Sequence, residues 1–446
     1  MTTVIDLWIT ESPNSTLPGF GDPLVLAAES FNRAHPRFEV RIRKVEVHLM
    51  PEAVAQAVAQ GNPPDVVEYT YSSTQTALDT RAANGDPLFV PIQRAIGGRT
   101  EILGEPVVVE DLVPTVRRYY SVGGELVSVP SMVTTNLLYA NKTVLDRAGI
   151  EQLPVTWKDL TAACAKIAEL PDGPGHGVSW PNYGWVFHME LAGQGALLTN
   201  GDNGRSGRAT RVFLDSPEML NYVGWWKEML DSGYYLPTEE LHYFTCMQAF
   251  ARQEIAFVVT SSAVGQMMVG MAAEAGFELT AGQLPRPDEE CSPGGPVAGH
   301  SLFLTAGLPK EKEDGALAFL QHQLNEHHGV ARICTPGNPM TSLPITRAAY
   351  ERTTADDWAD PFPGFRSATA QVTSAGHTPA AAGPMVGSLN SINIVLTQAA
   401  EDVLLRGAEP AARFRAATEE AQQVLDRYNA AALAYPPVTP DDLSAG

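Results

Sequence analysis

The sequence predicts an α/β fold divided between two domains, and three observations carry that reading. The chain has 446 residues, well beyond the ~250–300 at which a single hydrophobic core stops growing. Apolar residues make up 44% and charged residues 18%, a balance suited to a large buried core. The amino-terminal part alternates strand, helix, strand, helix and strand, the pattern of a parallel sheet covered by helices on both faces.

Val4 to Ile9 is β-branched and strand-like, and Leu24 to Ala34 repeats apolar residues at helical spacing. Phe38 to Val47 reads as a second strand and Ala53 to Ala59 as a second helix. The turn chemistry of Gly61-Asn-Pro-Pro-Asp65 delivers Val66-Val67-Glu68-Tyr69 as a third strand. Doubly wound sheets bind ligands beyond the carboxyl ends of their strands. That rule nominates Trp8 and Glu11 after the first strand, and Tyr69 and Tyr71 after the third.

Leu126 to Tyr139 is extended around Pro130 and carries Thr134 and Thr135. A helix then ends at Gly149, and Thr156 is placed to cap the next. Gly173 to Gly184 is rich in Gly and Pro and holds Trp180 and Tyr183, with Trp185 just beyond. Large aromatics in such a loop have less reason to be core, whereas Trp225 and Trp226, inside a helical pattern, read as packing. Phe250 to Val259 runs into Ser261 and Ser262. Gly299 and His300 precede a strand over Leu302 to Thr305, and Lys310 to Asn325 is helical. The remainder is helix and loop, with a short Ala/Gly run near Ala380 and a Pro-rich polar tail after Tyr435.

Thirty basic against 51 acidic side chains leave a net charge of −21, which opposes nucleic-acid and anionic-membrane binding. No apolar run reaches the ~18–20 residues of a membrane span. Met1-Thr-Thr-Val-Ile-Asp6 enters a strand without a basic n-region or apolar h-region. Either an export leader has been removed, or the chain is natively cytosolic. Cys164, Cys246, Cys291 and Cys334 form no Cys-x-x-Cys pair, so zinc or iron–sulfur ligation is not expected. Cys164 reads as a buried thiol; a disulfide among the other three stays open. His327 and His328 are adjacent, so on a helix they point about 100° apart and make a poor metal pair. The sequence has no phosphate loop, no Gly-x-Ser-x-Gly elbow and no His-Glu-x-x-His helix. For an enzyme, only His188, His300 and His377 stand out as proton-transfer groups. No metal and no cofactor are expected.

Four ordered segments carry a resemblance. They are Gly61-Asn-Pro-Pro-Asp-Val66, Gly124-Glu-Leu-Val-Ser-Val-Pro130 with Leu137-Leu-Tyr-Ala-Asn-Lys142, Pro154-Val-Thr-Trp-Lys-Asp-Leu160, and Phe250 to Ser262. Together they resemble the extracellular solute-binding proteins of carbohydrate-type ABC importers, the maltose-binding-like group, from about Val4 to Tyr428. Leu343-Pro-Ile-Thr-Arg-Ala-Ala-Tyr350 and Gly387-Ser-Leu-Asn-Ser-Ile392 are similar to segments of the members that bind glycerol 3-phosphate and glycerophosphodiesters.

The resemblance implies a type II periplasmic-binding-protein fold, with residues 1–132 and 265–328 in the first lobe and 133–264 and 329–446 in the second, joined by a hinge. It implies a monomer that closes around a small ligand and docks on an ABC permease. It also implies extracellular, cell-surface lipoprotein or periplasmic residence. Where those members place a phosphate-gripping Tyr and Arg, this chain has Ser342 and Met385. Loss of a bidentate guanidinium removes the strongest phosphate contact, so the expected ligand is a sugar, oligosaccharide or polyol derivative. A glycerophosphodiester or glycerol 3-phosphate is the alternative, and a cytosolic sensor or biosynthetic enzyme on the same fold is another. The expected ligand shell is Trp8, Glu11, Tyr69, Tyr71, Thr134, Thr135, Trp180, Tyr183, Trp185, Ser261, Ser262, Gly299, His300, Ser342 and Met385, with aromatics covering the ligand's C–H faces and hydroxyls and carboxylates meeting its rim.

Overall fold

Alternating apolar residues form β1 (Thr3–Glu11), which lies between β2 (Phe38–Glu46) and β3 (Val66–Thr70), all three parallel. The computed structural model describes residues 2–11, 23–238, 243–292, 294–325 and 342–434. The amphipathic helices α1 (Pro23–Ala34) and α2 (Met50–Ala59) make the crossovers, as the sequence pattern requires. Next come β4 (Phe89–Val90) and β5 (Val129–Thr134), both on this first sheet.

A single residue, Thr135, separates β5 from β6 (Asn136–Asn141), which belongs to a second sheet. That sheet runs in the order β7 (His176–Ser179), β8 (Ile255–Ser261), β6 and β9 (Leu279–Gln283). Around it pack α3 (Trp157–Ala168), α4 (Gly184–Gly193), α5 (Pro217–Asp231), α6 (Tyr243–Ala251) and α7 (Gly265–Ala275). The expected cap on α3 is present as a reciprocal box. Thr156 Oγ1 accepts from the Asp159 N–H (3.1 Å), and Asp159 Oδ2 accepts from the Thr156 N–H (2.9 Å).

The chain returns to the first sheet as β10 (Ala298–Thr305), antiparallel to β3, β4 and β5, and continues into α8 (Lys310–Leu324). The helices α9 (Phe365–Thr373), α10 (Leu389–Arg406) and α11 (Pro410–Leu433) complete the second lobe.

The lobe boundaries differ from those expected in three places, the first being that β5 keeps Val133 and Thr134 on the first sheet. Residues 265–283 belong to the second lobe, because β9 pairs antiparallel with β6 (Leu137 opposite Gln283); the return crossing lies between β9 and β10. Residues 342–348 still run beside the first lobe. The Leu343 N–H donates to Val133 O (2.8 Å), the Val113 N–H donates to Ile345 O (2.9 Å), and Ala348 N–H donates to Asp111 (3.0 Å). Crossings of this kind are long-range pairings that local periodicity does not report.

Cys164, Cys246 and Cys291 are free thiols, and burial pushes the Cys164 thiol up. Among the described residues no helix is long and apolar enough to cross a membrane. Cys334, His327 and His328 lie outside the described residues.

Candidate functional site

The carboxyl ends of β1 and β3 meet the start of β10 in a buried polar cluster. Glu68 Oε2 accepts from the Thr10 N–H (3.0 Å) and the Thr10 hydroxyl (2.7 Å), and Glu68 Oε1 accepts from the Ser131 hydroxyl (2.7 Å). His300 Nδ1 lies 2.9 Å from Thr10 Oγ1 and 3.4 Å from Glu68 Oε1. Thr10 has one hydroxyl proton, and with Glu68 receiving it the imidazole Nδ1 carries its own proton toward that oxygen. Burial alone would raise the Glu68 carboxyl; the charge of His300 and the bonds from His300, Ser131 and Thr10 outweigh it and hold the group below the usual range. Sequence reading passed over Glu68. The available signal was a carboxylate inside the otherwise apolar run Val66-Val67-Glu68-Tyr69 of a strand covered on both faces.

Gly299 shapes this corner. Its φ is +128°, and a Cβ there would sit 2.0 Å from Met132 O on the neighbouring β5, so only glycine lets β10 approach β5 and aim His300 at Glu68. Glu11 ends β1 at half-buried exposure.

The second lobe presents α4, which is buried on almost every side. Gly184 permits this. A Cβ there would meet the Asn393 side chain of α10 at 2.2 Å. His188 is tied to the same asparagine (Nε2 to Oδ1, 2.9 Å), and burial lowers its pKa to about 4. A neutral, structurally committed imidazole is no proton shuttle. His377 is likewise engaged, with Nδ1 against the Arg118 guanidinium; since arginine only donates, that nitrogen acts as an acceptor.

The first turn of α4 carries Trp185, whose ring lies 6.1 Å from that of Tyr71 across the seam between the lobes. Trp185 is only 4% exposed, yet its indole N–H has no acceptor among the described residues. Tyr119 flanks Tyr71 (ring centroids 6.3 Å apart) and donates its hydroxyl to Tyr71 O (3.2 Å) and Pro384 O (3.3 Å). Arg205 lies over the Tyr119 ring at 4.6 Å and donates to Tyr119 O, Ala382 O and Gly383 O. Tyr183, half-buried, is the N-cap of α4. Farther along the seam, Arg208 and the Tyr428 hydroxyl of the second lobe both bind Asp79 of the first.

Several expected ligand residues are placed elsewhere. Trp8 and Tyr69 are core. By strand parity they share the sheet face that α2 covers, where Trp8 packs with Met50 and Val54 under the Arg43 guanidinium (4.2 Å), and Tyr69 sits edge-on to Phe303 (5.6 Å). Trp180 is also core. It stacks on Trp225 (5.3 Å, 9°), which stacks on Trp157 (4.7 Å, 7°), and Trp226 closes the same cluster at 5.4 Å. The Gly/Pro-rich context suggested a surface loop, but β7 carries Trp180 directly into the interior.

The crossover residues are committed to internal hydrogen bonds. The Thr135 N–H donates to Ser262 Oγ (3.1 Å), and Thr135 Oγ1 accepts from Gln371 (2.6 Å). Ser261 Oγ accepts from Ala263 N–H (3.2 Å) as a turn cap. The Val133 N–H donates to Ser342 Oγ (3.0 Å). Thr134 is buried at the end of β5, and Met385 is buried, with its N–H on Asn203 O (2.9 Å). Beside Thr135, the buried Asn136 side chain has neither its donor nor its acceptor engaged among the described residues. Sequence reading singled out its two threonine neighbours instead.

Known proteins agree on the architecture. A family model described as bacterial extracellular solute-binding protein matches residues 27–362. The sn-glycerol-3-phosphate-binding periplasmic protein UgpB of Escherichia coli K12 is 25% identical over 409 residues, covering 90% of this chain and 89% of that protein. Its counterpart from Salmonella paratyphi A is 26% identical over 412 residues, covering 91% and 89%. Among solved structures, the sugar-binding protein MalE of Xanthomonas citri superposes with a TM-score of 0.73 at 18% identity, covering 96% of this chain and 98% of that one. The GacH receptor of Streptomyces glaucescens, solved unliganded and with acarbose, gives 0.72 at 18% identity, covering 96% and 100%. The type II periplasmic-binding-protein fold expected from the sequence is therefore the fold of this chain.

Proposed function

The chain belongs to the bacterial extracellular solute-binding proteins, and from that premise we propose that its two lobes close around a small neutral sugar, oligosaccharide or polyol derivative at the Tyr71–Trp185 seam. Membership makes it a binding component of an ABC importer rather than an enzyme. The observation that carries the ligand reading is the Trp185 indole: flat, almost wholly buried, set against a facing tyrosine, and holding an N–H with no acceptor among the described residues. An aromatic face suits the C–H side of a sugar, and the indole N–H suits one of its hydroxyls. Asn136 and the Glu68–His300 cluster supply further rim groups. The monomer would act outside the cytoplasm and present its closed shape to the permease, because a ligand touching both lobes favours the state in which it makes most contacts.

A glycerophosphodiester is the second reading. The UgpB relatives support it, as does Arg205, a guanidinium at the seam whose described bonds go only to backbone carbonyls. A thermal-shift screen of sugars, polyols, glycerol 3-phosphate and glycerophosphodiesters, with recovery of the bound compound, tests both. The neutral-ligand reading expects a sugar or polyol as best stabiliser, recovered unchanged. Preference for a phosphodiester moves the assignment to the second reading, and consumption of the ligand overturns both.

A further inference from the structure

At the amino-terminal ends of the strands, opposite the seam, three chemistry-bearing side chains converge. His35 follows α1, Glu105 lies on the short hairpin of Glu101–Ile102 and Glu105–Pro106, and His322 sits in the last turn of α8. They come from positions 70 and 217 residues apart, so no spacing motif announces them. His35 Nε2 is 2.7 Å from Glu105 Oε1, and His322 Nδ1 is 2.8 Å from that same oxygen. All three ligand atoms lie within 4.8 Å of one another. Side-chain exposure is 16% for His35, 11% for Glu105 and zero for His322.

Packing fixes the two rings. Phe31 stacks on His35 (4.4 Å, 27°) and meets His322 edge-on (5.5 Å, 77°), while the imidazoles stand 82° apart at 6.3 Å. Both nitrogens therefore aim at one point from different directions. In a plain hydrogen-bonded pair of contacts each imidazole could take its own carboxylate oxygen; here they share one.

We propose that His35, Glu105 and His322 form a binding site for a divalent transition metal of the zinc type. Two imidazole nitrogens and one carboxylate oxygen are a ligand set that zinc accepts, with a fourth position left for water. Zinc bonds of about 2.0–2.1 Å in a tetrahedral site put ligand atoms roughly 3.3 Å apart. The carboxylate need withdraw from each imidazole by only about half an ångström. The partial exposure of His35 provides the entry path and the solvent position. Once bound, the ion cross-links α1, the hairpin and α8, three elements of the first lobe, without touching the ligand seam.

The test uses the untagged full chain after dialysis against a chelator, with zinc as the probe. Equilibrium dialysis with elemental analysis should give one zinc per chain, and saturating zinc should raise the Tm by about 2–5 °C. Cobalt substitution should give visible absorption bands characteristic of a four-coordinate site. His35→Ala and Glu105→Gln, each checked for folding by circular dichroism, should weaken zinc binding at least tenfold and abolish the Tm rise, while His176→Ala, at an unrelated surface histidine, should not. Failure of the wild-type chain to bind zinc overturns the proposal, as does stoichiometric binding that survives both ligand variants.

Discussion

Glu190 tests whether α4 is held as described, because its carboxyl is buried beside the indole stack and, among the described residues, accepts one bond, from Trp157 Nε1 (3.1 Å). Burial lifts this carboxyl from an ordinary 4.5 to about 8, more than the Trp157 bond lowers it. Between those values the folded chain retains a proton that the unfolded chain releases. Stability contributed by the neutral acid is therefore fully present below about pH 4.5 and is lost as pH rises toward 8. At about 1.4 kcal/mol per pH unit, the whole span is worth ~5 kcal/mol.

Glu190→Gln keeps an acceptor for Trp157 and removes the titration. In denaturant unfolding followed from pH 5 to pH 8, the difference between variant and wild type should grow steadily in favour of the variant. It should reach ~3 kcal/mol or more by pH 8, allowing for relaxation around a buried charge. A difference that stays flat across that range would refute the reasoning, showing that water or movement of α4 solvates the carboxylate.

The Glu68 cluster behaves oppositely. Its lowered carboxyl contributes stability above the ordinary carboxylate range that is lost as pH falls through the lowered value, and Glu68→Gln should cost ~2–4 kcal/mol at pH 7 and progressively less in acid by the same unfolding assay. Gly299→Ala should destabilise by ~3 kcal/mol or more, since the added methyl meets Met132 O at a backbone angle that L residues avoid; calorimetric melting checks it. Asp79→Asn removes the carboxylate that Arg208 and Tyr428 share across the seam, and should shift the unliganded chain toward an open form, read as a larger radius of gyration in solution scattering.

Much of the first lobe was legible because its parallel β-α-β-α-β units write their periodicity locally: the strands at Thr3–Glu11, Phe38–Glu46 and Val66–Thr70 fall almost where alternation puts them. The second lobe was harder. The strand Leu279–Gln283 is short, mostly half-buried and exists by pairing with Asn136–Asn141, so nothing nearby in the chain announces it. Site reading failed in a similar way. Strand parity alone could have sent Trp8 and Tyr69 to one face, but which face α2 covers is tertiary information. Trp180 followed its Gly/Pro-rich surroundings to a false surface, because the indoles that bury it lie far away on α3 and α5. Trp185 and Tyr71 were nominated for separate reasons, and only the fold shows them meeting. Glu68, Asn136 and the His35–Glu105–His322 cluster escaped because each depends on partners distant in sequence.

The central claim is that ligand is gripped between Tyr71 and Trp185. Isothermal titration of the best stabilising sugar or polyol into wild type and Trp185→Phe tests it directly, since phenylalanine keeps an aromatic face and deletes the indole donor. The account predicts one site per chain in the wild type and a roughly tenfold or greater loss of affinity in the variant. Equal affinity in the two proteins would contradict it and place the ligand elsewhere.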